Sequence, residues 1–176
     1  MRFLTATESE TWIRARSVAL PESDFLAHQG EGHVRVRASL PPTLGQVLWF
    51  SRFIGGCLEP RSECLLWVTQ FGLWRSSENW HLYYKLRQSY GDIRLLDEAP
   101  GHLFLNFEEP DFVSFLQFGI LAGWDMWLIP QLDYGEPDTA RVFVSHDEWV
   151  AFFHRDAAEV ARWRTALEKA KCRILS

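Results

Sequence analysis

Apolar residues recur along this chain at two periods, and the switches between them predict where helices and strands lie. Thr7 and Glu10 form an S/T-x-x-E capping box, so a short helix is expected to begin there with Trp12 and Ile13 on its buried face. Val34, Val36 and Ala38 alternate with Arg35, Arg37 and Ser39, the two-residue period of a strand with one wet face, and Pro41-Pro42 closes it. Leu44, Val47, Leu48, Ser51, Phe53 and Ile54 fit a helix stopped by Gly55-Gly56, since glycine accepts the left-handed conformation common at helix ends. Cys64 to Phe71 reads as a buried strand. Glu78, His81, Lys85 and Gln88 share one polar helical stripe, which predicts a helix over 78–90 capped by Gly91.

His102 to Phe107 has the look of a strand. Glu109-Pro110-Asp111 opens a helix, with proline in the first turn where its missing amide costs nothing. That helix, Asp111 to Ala122, is apolar nearly all round, which predicts a central position, and Gly123 ends it. Trp124 to Ile129 and Arg141 to Ser145 are strands that can pair as a hairpin across the turn-rich Pro130 to Ala140. Ser145-His146-Asp147-Glu148 repeats the capping-box pattern and predicts a helix just beyond, with His146 before it. A similar start at Asp156 leads into Val160, Trp163, Leu167 and Ala170, one apolar stripe of a final helix.

Interleaved strands and helices with short connections predict an α+β or α/β sandwich: about five or six strands, with helices packed on the sheet. No internal repeat or long Pro/Gly/Ser-rich linker divides the chain, so residues 1–176 are expected to form a single globular domain. A chain of this length buries roughly 70% of the surface its unfolded form exposes, which is enough to fold without a metal or disulfide. Cys57, Cys64 and Cys172 are an odd count without zinc-ligand spacing; three free thiols and a cytoplasmic location are expected. The longest apolar stretch, Phe112 to Ala122, falls short of the ~20 residues that span a bilayer, and the N-terminus lacks the apolar run of a signal peptide. No membrane association is therefore expected.

Net charge is −5, but its distribution says more. Residues 91–150 hold only Arg94 and Arg141 against twelve acids, while the tail from 151 is basic. A nucleic-acid-binding face would need the opposite sign, so no nucleic acid is expected. The block is either a solvated acidic surface or a docking face for a basic protein.

Motifs that assign a reaction are absent: the sequence has no G-x-S-x-G, no phosphate-binding G-x-x-x-x-G-K-[ST], no H-E-x-x-H and no C-x-x-C. Ser145, His146 and Asp147 spell a catalytic triad in letters only, because adjacent side chains diverge where a triad must converge. His28, His33, His102 and His146 lack ligand spacing, so no metal or other cofactor is expected and hydrogen-bonded histidines are the plainer reading. The balance leans away from an enzyme.

Nine Trp, thirteen Phe and four Tyr are more than one core readily hides, and Trp and Tyr serve interfaces as well as interiors. Trp74 and Trp80 flank a polar connection expected at the surface. With the acids least tied to local structure, Glu108, Asp111, Asp125, Asp133, Glu136 and Asp138, they make the candidate partner-binding set. The leading expectation is thus a protein-binding module with an acidic, aromatic-rich docking face for a basic protein. By analogy alone, an inhibitor that neutralises a basic toxin has this size and charge. A small-molecule protein with an aromatic pocket and a hydrolase with an unfamiliar site are the alternatives, and oligomeric state is left open.

Overall fold

The computed structural model describes residues 1–18, 32–41, 43–59, 61–71, 80–132 and 139–175, without the side chains of 44 and 80. Among the described residues, eight strands form one sheet: β1 (Arg2–Leu4), β2 (Val34–Ser39), β3 (Arg61–Gln70), β4 (Gly101–Leu105), β5 (Asp125–Leu132), β6 (Ala140–Ser145), β7 (Trp149–His154) and β8 (Ile174–Leu175). Their order is β1-β4-β3-β5-β6-β7-β2-β8, and every pairing is antiparallel, which makes the fold α+β. The helices are α1 (Ala6–Arg14), α2 (Leu44–Cys57), α3 (Trp80–Ser89), α4 (Glu109–Ala122) and α5 (Ala157–Lys169). No helix among the described residues is long and apolar enough to cross a membrane.

Both faces of the sheet are buried. On one, Cys64, Leu66, Val68, Phe104, Met126, Leu128, Val142, Val144, Val150 and Phe152 meet α2, α4 and α5 through Phe50, Ile54, Phe112, Phe115, Leu116, Val160, Trp163 and Leu167. On the other, Leu65, Leu103, Trp127, Ile129, Phe143, Trp149, Ala151 and Phe153 form a smaller core with Trp12 and Ile13 of α1. Strand alternation sends Trp127 one way and Met126 and Leu128 the other.

Several local expectations hold. Pro110 sits in the first turn of α4, and Gly123 caps that helix at φ 67°. Gly91 is left-handed after α3, and β5 and β6 pair as expected. The Asp156 carboxylate accepts from the Ala158 amide to start α5.

Others are corrected. The first capping box forms two residues earlier: Thr5 Oγ1 accepts from Glu8 N at 3.2 Å and Glu8 Oε2 from Thr5 N at 2.7 Å. Pairing of Leu4 with Gly101 ends β1 there and forces the helix to start at once. Helix α2 runs through Gly55 and Gly56 to Cys57. Gly55 is there for proximity: a Cβ on it would lie 2.5 Å from Glu109 Oε1, and its carbonyl accepts from buried Arg61 Nη1 at 2.8 Å. Strand β4 stops at Leu105, and Phe107 lies 75% exposed in a short 3₁₀ turn. Helix α4 is one-sided rather than central, with Leu121 58% exposed. The helix predicted after Ser145 is strand β7, reached by the three-residue loop His146-Asp147-Glu148, whose last residue takes φ 62°. That is the geometry of a three-residue hairpin closing on a left-handed residue. With β1 and β8, which are too short to show a period, β7 raises the count to eight.

Candidate functional site

Cross-strand register lays a row of rings on the α1 side of the sheet. Trp67 lies opposite Trp127, Trp127 opposite Phe143, and Ser145 opposite Trp149. The ring centroids of Trp127 and Phe143 are 4.9 Å apart, and those of Phe143 and Trp149 are 5.4 Å apart. These residues floor a cleft of about 720 Å³. Its walls come from the end of β3 with Phe71, from Asp97 and Pro100 before β4, and from the β6–β7 hairpin. Trp67 is half-buried, while Trp127, Phe143 and Trp149 are buried.

The polar side of the cleft is built on Asp125. Its Oδ1 accepts from the backbone N–H of His146 at 2.7 Å and from His146 Nδ1 at 2.9 Å. The carboxylate thereby fixes the hairpin and holds the imidazole in the tautomer that carries its proton on Nδ1. His146 Nε2 lies 3.4 Å from Asp147 Oδ1, and the Asp147 amide donates to Ser145 Oγ at 3.2 Å. Ser145, His146 and Asp147 thus form no triad: the acid that orients His146 is Asp125, 21 residues earlier, and the Ser145 hydroxyl serves the turn. Among the described residues, no three His, Cys, Asp or Glu groups are arranged to hold a metal ion. The lining described includes Asp97, Asp125 and Asp147 but neither Lys nor Arg.

The other candidate residues within the described part of the chain do not gather at the cleft. Glu108 and Asp111 lie at the N-terminus of α4, and Asp125 follows its C-terminus, so the 14-residue helix separates them by about 21 Å. Burial would raise the Glu108 carboxyl, but the Leu105 amide at 2.8 Å and the Met1 ammonium hold it below the usual range. Asp111 faces Tyr90, whose hydroxyl is pushed up to about 12, first by burial and then by that carboxylate. Trp80 opens α3, and Trp74, Asp133, Glu136 and Asp138 lie outside the described residues. The sequence pointed to Asp125 but not to Trp67, Trp127, Trp149, Asp97 or Asp147. The aromatic excess was the available signal; which rings share a face depends on strand register.

A second polar cluster lies on the opposite face of the sheet. His102 Nδ1 donates to Pro100 O at 3.1 Å, and its Nε2 accepts from the Tyr83 hydroxyl at 2.7 Å. Arg87 Nη1 donates to that hydroxyl at 2.8 Å, and Nη2 to Asp92 Oδ1 at 3.0 Å. Burial, and then the Arg87 charge, lower His102 to about 3, so it is neutral. Burial alone would raise Asp92, but hydrogen bonds from Arg94 and Arg87 hold it below the usual carboxylate range. This closed network fastens α3 to β4 and presents nothing to solvent at His102 or Arg87, both 0% exposed. No family model matches the chain, and no curated protein or solved structure matches it either.

Proposed function

We propose that the chain is a single-domain protein-binding module, working in the cytoplasm, that docks a basic protein through the acidic, aromatic cleft. The observation that carries this reading is the composition of the cleft: Trp67, Trp127, Phe143 and Trp149 beside Asp97, Asp125 and Asp147. Carboxylates steer a cationic surface inward and raise its association rate, while the half-buried Trp67 ring supplies contact area that slows its release. Of the acids expected from sequence, Asp125 lies in the cleft, and Glu108 and Asp111 are proposed only as outlying parts of the docking face; Asp133, Glu136, Asp138 and Trp74 lie outside the described residues, as does the side chain of Trp80, and they stay in the proposed partner-binding set. Three buried thiols support a reducing compartment.

The test is affinity capture followed by salt-titrated binding to the basic proteins recovered. Asp97→Lys and Asp147→Lys, both at exposed positions, should slow association and flatten its salt dependence while leaving the melting temperature unchanged, because exposed charges contribute little to stability. Binding indifferent to salt and to both reversals refutes docking. A second reading rests on the volume of the cleft, which falls within the range of small-molecule sites. A hydrolase would use the Asp125–His146 pair as its base, but the neighbouring Ser145 is 4% exposed and its hydroxyl already accepts from the turn, which favours binding over catalysis.

A further inference from the structure

The α1 face of the sheet already holds two guanidinium groups over indole rings, one of them also paired to a carboxylate. Arg16 lies 4.0 Å over the Trp12 ring while its Nη2 donates to Glu63 Oε2 at 2.6 Å, and Trp12 Nε1 donates to the same carboxylate oxygen at 3.1 Å. Arg37 covers Trp149 at 3.9 Å. Trp67 stands two positions beyond Leu65 and four beyond Glu63 on β3, so it shares their face. Unlike Trp12 and Trp149, it carries no stacked cation among the described residues, and it lines the cleft half-buried. The ring directly across from it is Trp127, and Asp125 is the next residue along that face of β5. Both His146 donors go to Asp125 Oδ1, and no donor to Oδ2 is present among the described residues.

From this geometry we infer that the cleft selects arginine over lysine: Trp67 and the Asp125 carboxylate form the aromatic and acidic halves of a clamp whose guanidinium comes from an arginine side chain of the partner protein. The inference rests on the docking reading and specifies its ligand. A guanidinium is planar, weakly hydrated and able to stack on an indole while donating in its own plane to a carboxylate, whereas an ammonium is a compact, strongly hydrated charge that gains less from the ring. Asp97 and Asp147 attract either cation, so the preference for arginine arises at Trp67 and Asp125.

The experiment uses the whole chain and three nine-residue peptides of alternating glycine and arginine, glycine and lysine, or glycine and citrulline. Binding is followed by indole NMR shifts and by titration calorimetry. The arginine peptide should bind about ten-fold tighter than the lysine peptide and shift the Trp67 indole signal, and the citrulline peptide should show no binding. In Trp67→Leu, checked for an unchanged melt, arginine and lysine peptides should bind equally and weakly. Equal binding of the two peptides to the native chain overturns the inference but leaves docking intact, since charge alone is then being read. An arginine preference that persists in Trp67→Leu, or arises without a Trp67 shift, overturns it as well. Failure of all three peptides while a captured basic protein still binds through Asp97 and Asp147 overturns the arginine clamp and not the docking reading.

Discussion

Acid should begin to destabilise this protein through His102 before its carboxylates protonate. The ring is fully buried between Phe3 and Phe115, its Nε2 accepts from the Tyr83 hydroxyl, and its pKa lies at about 3. In the unfolded chain the same imidazole titrates near 6.5. A histidine depressed in this way contributes stability that is present above the unfolded value and is lost as pH falls toward the folded one. Between pH 6 and pH 4 the unfolded state binds one more proton at this site, so stability should fall by about 1.4 kcal/mol per pH unit, and by roughly 2.7 kcal/mol at pH 4.5. Urea unfolding at pH 7.5, 6, 5 and 4.5, followed by tryptophan fluorescence, measures this slope. His102→Gln should be less stable at pH 7.5 for want of packing, but its curve over the same interval should lose this slope, so the two curves converge toward pH 4.5. A native chain as stable at pH 5 as at pH 7, or a variant that keeps the full slope, would refute the reasoning.

The same unfolding curves should show one cooperative transition, as a single domain requires; two separated transitions by fluorescence and circular dichroism would divide the chain. Gly101→Ala should cost about 1–3 kcal/mol, because a Cβ there would lie 2.2 Å from Ser9 Oγ and 3.0 Å from Leu4 Cβ. A second change, Ser9→Gly, should recover part of that loss, and a neutral Gly101→Ala melt would show that α1 and β1 do not press on β4. Disulfide-exchange titration should find the native thiols slow to react: burial raises all three and pushes Cys64 up to about 12, leaving little thiolate at neutral pH. Denaturation without reductant should expose three per chain, and a count of one would reveal a disulfide.

Features whose cause lies within a few residues are legible in the linear order of the chain. Pro110 in the first turn, Gly123 and Gly91 at left-handed ends, Asp156 as a cap and the Val160-Trp163-Leu167 stripe all act through local backbone geometry or one helix face, so spacing alone exposes them. The same local logic yields alternatives that only distant partners resolve. Thr5 and Thr7 each begin a capping box, and the pairing of Leu4 with Gly101 selects Thr5. Trp149 to Phe153 carries no alternation because β7 is buried on both faces, and a capping pattern ahead of it then reads as a helix. Gly55 resembles a helix stop until Glu109 is brought against it. The cleft belongs wholly to this second class. Trp67, Trp127, Phe143 and Asp125 lie on one side because β3, β5 and β6 pair in one register, and a one-residue slip in any of them would turn its ring to the other face. Composition supplied the aromatic and acidic residues; the hydrogen-bonded register of strands far apart in the chain decided which of them meet.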